Sequence, residues 1–234
     1  MKTIKIEIPK DSDFVVLRTT EEGMFQEAVF GRKPKYGPED LAKLQGKFLD
    51  VWDLEGEGVW VWVTNCLGEM GGIKVEDYLL WKEIEKEVGN LTGVELLGTI
   101  IKTKYVTLGI YSTVFEKCDW NYAKNSYQLP DQIQGTEIGN NFKEINKVRK
   151  LVGLKEFEKG WFWTSGEYSS NSSRGYSSIG NLTDLNKYGS YGVIACKDLS
   201  GLKPKEESKK ETTEEIQWEK LSSIFEKMFN GKVE

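Results

Sequence analysis

The run Val59-Trp60-Val61-Trp62-Val63 constrains this chain more than any other feature: five β-branched and aromatic residues in succession, entered from a turn bracketed by Gly56 and Gly58, read as a strand. Side chains alternate along a strand, so Trp60 and Trp62 share one face and the three valines share the other. Both faces are apolar, which leaves two solutions. Either the strand is buried on both sides, or the tryptophan face stays open as a ladder that grips a ligand.

The flanking segments supply the layers. Residues 4–8 alternate, with Ile4, Ile6 and Ile8 at period two, and residues 14–17 and 25–30 read as further short strands. Pro38, after Gly37 and before Glu39 and Asp40, opens a helix that carries Leu41, Leu44, Phe48 and Leu49 inward. Residues 77–88 form a second helix, with Tyr78, Trp81, Ile84 and Val88 spaced by three and four. Residues 94–101 and 105–111 pair as a hairpin, residues 121–141 are a polar stretch carrying Leu129-Pro130, and residues 142–152 have the period of an amphipathic helix that stops at Gly153. A short aromatic strand over 160–168 and a closing strand over 191–197 follow. Beyond Leu202 a charged connector leads to the capping box Thr212-x-x-Glu215 and a last helix. Its stripe of Trp218, Leu221, Ile224, Phe225, Met228 and Phe229 packs either on its own domain or, through residues 212–231, on another subunit or partner.

Charge and residue usage exclude several function classes. The 32 Lys and Arg against 37 Asp and Glu give a net charge of −5, the wrong sign for neutralising phosphates, so no nucleic-acid partner is expected. The sequence has no histidine, which removes Ser-His-Asp and Cys-His nucleophiles, imidazole bases and His-containing zinc sites. No cofactor or metal is expected. No stretch reaches the roughly 18 consecutive apolar residues of a membrane span. Residues 1–8 lack the apolar core of a signal peptide, so the chain is expected to remain in the cytoplasm or to reach a viral particle or cell surface by another route. Three cysteines, Cys66, Cys118 and Cys196, are too few for a disulfide scaffold.

From residue 165 to 192, 20 of 28 residues are Ser, Gly, Tyr or Asn, with Arg174, Thr183, Asp184 and Lys187 interspersed. Such text is ordinarily a flexible linker. Here Tyr168, Tyr176, Ile179, Leu182, Leu185, Tyr188 and Tyr191 supply regular bulky anchors, so the segment reads as a loop region tied down at its roots and free to vary at its surface. Tyrosine offers a rigid face with a polar tip, and Ser, Gly and Asn offer small adaptable hydrogen bonds, which is the vocabulary of antibody loops.

In order along the chain stand Trp120-x-x-Ala123, Tyr127-Gln-Leu129-Pro130, the helix over 142–152, Trp161-Phe-Trp163-Thr-Ser-Gly-Glu-Tyr168 and Tyr191-Gly-Val-Ile-Ala-Cys196-Lys. This series resembles the C-type-lectin-fold domains of bacteria and phages, in particular the domain that ends bacterial collagen-like surface proteins and the variable proteins of diversity-generating retroelements. The resemblance covers about 85 residues, and it departs from the family at the closing strand, where Ile194 stands in place of the first arginine. The Glu-Pro-Asn and Trp-Asn-Asp triplets through which animal lectins hold calcium and sugar are absent, so calcium-dependent sugar binding does not carry over. Formylglycine-generating relatives use two nearby cysteines late in the fold, and only Cys196 lies there. The resemblance implies that Cys118 and Cys196 sit at facing places, where a close approach would allow a bridge; the alternative, and the favoured one, is two small buried residues. In retroelement-diversified proteins, mutation of adenines in asparagine codons yields chiefly Asn, Ser, Tyr, Asp, Gly and Thr at surface positions, and segment 165–192 is largely of these types.

The expected fold is therefore α+β, with a C-type-lectin-like domain over 112–200, an N-terminal α+β region over 1–111 that is separate or integral to it, and a connector with an appended helix over 201–234. The expected function is non-catalytic recognition of a protein or glycan. Trp163 would form the floor, and Tyr168, Asn171, Arg174, Tyr176, Asn181, Asp184, Asn186, Tyr188 and Tyr191 the binding surface. Replacing Tyr176 and Tyr188 together should then abolish binding and leave the fold intact. An alternative is a fixed surface adhesive domain, and a further one is a glycan-processing enzyme using two of Glu167, Asp184 and Asp198.

Overall fold

The computed structural model describes residues 6–7, 9–10, 12–20, 24–32, 35–65, 68–88 and 94–202. Ile4, Ile8, Cys66, the Gly89-Asn90 stop and the helix expected over 212–231 lie outside the described residues, and Ile6 and Glu7 belong to no strand. The fold is α+β, with three antiparallel sheets.

Strands β1 (Phe14–Thr19) and β2 (Phe25–Gly31) form a two-stranded ribbon in which Phe14 pairs with Gly31 and Val16 with Val29. Helix α1 (Pro38–Gln45) follows, its first turn fixed by the Asp40 carboxylate accepting from the Gly37 N–H at 2.9 Å. Next come β3 (Leu49–Asp50), a 3₁₀ turn over Val51–Asp53, β4 (Gly58–Thr64), β5 (Met70–Ile73), α2 (Val75–Val88), β6 (Glu95–Lys102) and β7 (Thr107–Tyr111). Helices α3 (Trp120–Ser126), α4 (Gln132–Asn140) and α5 (Phe142–Leu151) lead to β8 (Trp161–Glu167), β9 (Ser172–Ser177), β10 (Leu182–Asn186) and β11 (Cys196–Asp198).

The larger sheet runs β11-β7-β6-β4-β5-β3, with β4 at its interior. Both faces of β4 are covered. Val61 and Val63 are fully buried beneath α1 and α2, against Leu44, Tyr78, Trp81 and Ile84. On the other face Trp60 and Trp62 are buried with Val51, Leu54, Ile100 and Leu199, so the open tryptophan ladder does not occur. The indole of Trp62 fits because its partners in the neighbouring strands are Gly72 and Gly98, and because a side chain at Gly109 would meet its ring at 2.7 Å.

Since β11 pairs with β7 and β6 with β4, residues 196–198 close a sheet built mostly from residues before 112. A second core lies between this sheet, α4, α5 and the three-stranded sheet β10-β9-β8, and includes Ile101, Leu108, Ile110, Ile138, Phe142, Ile145, Phe162, Tyr176 and Cys196.

Four expectations are corrected. Residues 121–141, a polar stretch to which the sequence pattern assigns no element, carry α3 and α4, capped by Asp119 and Asp131, whose side chains accept from Tyr122 N and Gln134 N. Segment 165–192 is not a loop region, because β9 and β10 occupy much of it. The closing strand is short: Tyr191 and Gly192 make isolated bridges to Cys118 and Phe162, and only residues 196–198 form a strand. The cysteine bridge is also absent, and both thiols are free. Cys118 pairs its backbone with Tyr191 and packs against the Trp120 and Trp163 cluster, whereas Cys196 is buried in the other core, where burial pushes its thiol up to about 12.

Candidate functional site

The three-stranded sheet sorts the biased segment into inside and outside. In β9 the alternation Ser173, Gly175, Ser177 against Arg174, Tyr176 puts Tyr176 under α4, where it stacks on Phe162 with centroids 5.4 Å apart and is fully buried. The opposite face carries Leu185 and Trp163, and a side chain at Gly175 would meet Leu185 at 2.2 Å, so the small residues there make room for the core. Tyr176 is therefore not a contact residue, and its replacement would open the core. Trp163 is likewise fully buried, its indole N–H donating to the Cys118 carbonyl at 2.8 Å and its ring meeting Tyr191 edge-on at 4.9 Å. It is a floor beneath the half-buried Tyr191, not a surface.

Six of the expected residues gather at one end of the sheet. Arg174 and Asp184 are direct cross-strand partners, their side chains joined at 2.6 Å, and the guanidinium lies 4.4 Å from the centre of the Tyr168 ring. Asn171 lies in the β8–β9 turn, while Asn186 ends β10 and its side chain accepts from Tyr188 N at 3.0 Å, placing Tyr188 at the tip of the next turn. Tyr168 and Tyr188 are 58% and 73% exposed, which leaves both rings available for stacking. Asn181 is separated from this group. It closes the turn at the far end of the β9–β10 hairpin, bonded to Ser177, five residues from Asn186 and so about 16 Å from the end of β10 that carries the two turns.

Lys187 holds the two turns in place, although sequence reasoning gave it no role. It is almost fully buried, and its ammonium pairs with the Glu167 carboxylate, donates to the Ser170 carbonyl at 3.3 Å and lies 4.7 Å from the centre of the Trp120 ring. Its backbone N–H donates to Asn171 and its carbonyl accepts from Trp120, so one residue ties the β8–β9 turn to α3. The hydrogen bond and charge of Lys187 hold the Glu167 carboxyl below its usual range. The available signal was the one lysine in a stretch dominated by Ser, Gly, Asn and Tyr.

The three carboxylates weighed for catalysis are each engaged separately: Glu167 by Lys187, Asp184 by Arg174, and Asp198 by Ser200 and Gln134. Among the described residues no group of three or more Cys, Asp or Glu is placed to hold a metal ion, and no helix is long and apolar enough to cross a membrane. What the arrangement offers a ligand is aromatic stacking, amide hydrogen bonds and one paired guanidinium. No protein-family model matches the chain, and no curated protein is significantly similar to it.

Proposed function

We propose that this chain is a non-catalytic ligand-binding protein of receptor or adhesion type, displaying Tyr168, Asn171, Arg174, Asp184, Asn186 and Tyr188 on a C-type-lectin-like scaffold toward a protein or glycan. The observation that carries the reading is the clamped pair of turns: exposed tyrosines stand on a sheet whose loops are fixed from below by buried Lys187 and Trp120. Binding gains from such pre-organisation, because less side-chain and loop freedom is lost on association. The antiparallel closure of β11 on β7, with helices and a second small sheet between them, supports the lectin-like part of the reading.

Diversified and fixed versions of this protein differ in their genes. A near-identical, asparagine-rich copy of the 165–192 coding segment beside a reverse transcriptase gene marks the diversified version, and its absence favours the fixed adhesive domain. The site itself is tested by Tyr168→Ala combined with Tyr188→Ala, screened against protein and glycan arrays. The expected outcome is a loss of about a hundredfold in affinity for the protein or neutral glycan that the parent chain binds most tightly, with an unchanged thermal transition. Retained affinity would sink the assignment.

A further inference from the structure

A second concavity of about 490 Å³ lies at the opposite end of β8 from the two turns, between the segments 114–117 and 155–160. Its size falls within the range of about 300–1,000 Å³ usual for small-ligand clefts. Both walls lack regular secondary structure, yet both are held at their roots by buried side chains. Arg149 of α5, fully buried, donates from Nε to Lys155 O at 2.8 Å, from Nη1 to Tyr111 O at 3.0 Å and from Nη2 to Ser112 O at 2.6 Å, and it stacks on Phe157 at 4.0 Å. Asn146 exchanges two further hydrogen bonds with the Phe157 backbone, at 2.8 and 2.9 Å. Gly192 bonds the Trp161 carbonyl at 2.9 Å and fixes the base of the groove.

The lining is mixed in a specific way. Trp161 is 37% exposed at the groove. Lys117, Lys155 and Lys159 line it together with Glu116 and Glu158, and of these the only ion pair is a long one, Lys117 to Glu158 at 3.9 Å. Arg149 does not line the groove but lies buried behind its two walls, with carbonyls and no carboxylate as its hydrogen-bond partners. Burial lowers it only to about 10, so it stays charged at neutral pH. The groove lining thus carries three lysines against two glutamates, an excess of one cation on a chain whose net charge is −5, and the positive charge of Arg149 lies buried behind it.

We propose that this groove binds an anionic oligosaccharide, with the Trp161 indole as its stacking platform. A pyranose ring presents an apolar C–H face to an aromatic plane and a rim of hydroxyls that donate and accept. Glu116 and Glu158 accept from such hydroxyls, the lysines donate to them, and the cation excess selects a sugar bearing a carboxylate. An acidic peptide would offer the lysines its carboxylates but would bring no hydroxyl rim to the glutamates and no pyranose face to Trp161.

The test is calorimetric titration of the full chain with tetragalacturonate, with maltotetraose as a neutral saccharide and tetraglutamate as an acidic peptide. Tetragalacturonate is expected to bind at least about tenfold more tightly than either, to weaken as salt is raised, and to lose about tenfold in Trp161→Ala and in Lys117→Ala combined with Lys159→Ala, while Trp161→Phe retains most of the affinity. The lysine pair is at the surface, so it carries the test even if Trp161→Ala fails to fold. The Tyr168→Ala, Tyr188→Ala double variant should bind tetragalacturonate as the parent does, which separates this groove from the surface at the other end of the sheet. Absence of tetragalacturonate binding at millimolar concentration, equal binding of tetraglutamate or maltotetraose, or affinity unchanged in the lysine pair would each overturn the proposal.

Discussion

Single residues in this protein draw their roles from what surrounds them. Lys187 is a lysine by chemistry but a core residue by position, and the turns that carry Tyr168, Asn171 and Tyr188 depend on it. Lys187→Met should keep the fold, cost about 1–3 kcal/mol in urea unfolding and raise amide exchange over 168–172, because Glu167 and the Ser170 carbonyl lose their donor. Burial also sets the response to alkali. The Cys196 thiol moves from its ordinary 9.0 to about 12 in the folded chain, so between these values the unfolded chain releases a proton that the folded chain keeps. Its contribution is whole below pH 9 and is lost as pH rises toward 12, with about 1 kcal/mol lost between pH 9 and 10. The Tyr176 phenol, also raised by burial, acts in the same sense at higher pH, whereas Arg149, lowered to about 10, acts in the opposite one. The drop in unfolding free energy between pH 9 and 10 should therefore shrink by about 1 kcal/mol in Cys196→Ala, while Cys118, also raised by burial, keeps its own share.

At the scale of elements, the sequence was most legible where bulky side chains carry the period. β4, α2, the β6–β7 hairpin, α5 and β8 lie where their aromatic and β-branched residues placed them. The elements that went unread are those whose buried positions hold glycine and serine. Helix α4 buries Gly135, Ile138 and Gly139, and β9 buries Ser173, Gly175 and Ser177, so a search for bulky residues at a fixed spacing finds only part of either pattern. These small residues let backbones approach. A side chain at Gly139 would lie 2.3 Å from Gly180 N and 2.5 Å from Ser177 O, and one at Gly135 would lie 2.6 Å from the Tyr176 ring. Gly139→Ala should push α4 off the sheet and lower stability by about 1–3 kcal/mol in urea titration, despite alanine's better helix propensity. Ile133→Ala, on the exposed side of the same helix, should change it by less than about 0.5 kcal/mol.

At the scale of the whole molecule, the large sheet joins distant parts of the chain, since β11 closes on β7 and the second core draws Ile101, Leu108 and Ile110 from before residue 112. A fragment of residues 112–200 should consequently lack a cooperative melt and dispersed amide resonances, whereas the chain ended after Leu202 should keep both; a dispersed spectrum from the fragment would restore a boundary at 111. Taken alone, the sequence determined the α+β class and the strands and helices with strong apolar periods, because alternation and 3.6-residue spacing are local properties of the chain. It also marked residues 165–192 as the stretch richest in Tyr, Ser, Gly and Asn, because composition is local too. Only the tertiary structure decided that Tyr176 and Trp163 are core, that Asn181 stands apart from Tyr168 and Arg174, and that Cys118 and Cys196 lie in different clusters. Each of these depends on which strand pairs with which and what covers each face, and pairing between residues far apart in sequence is fixed by packing that no local pattern encodes.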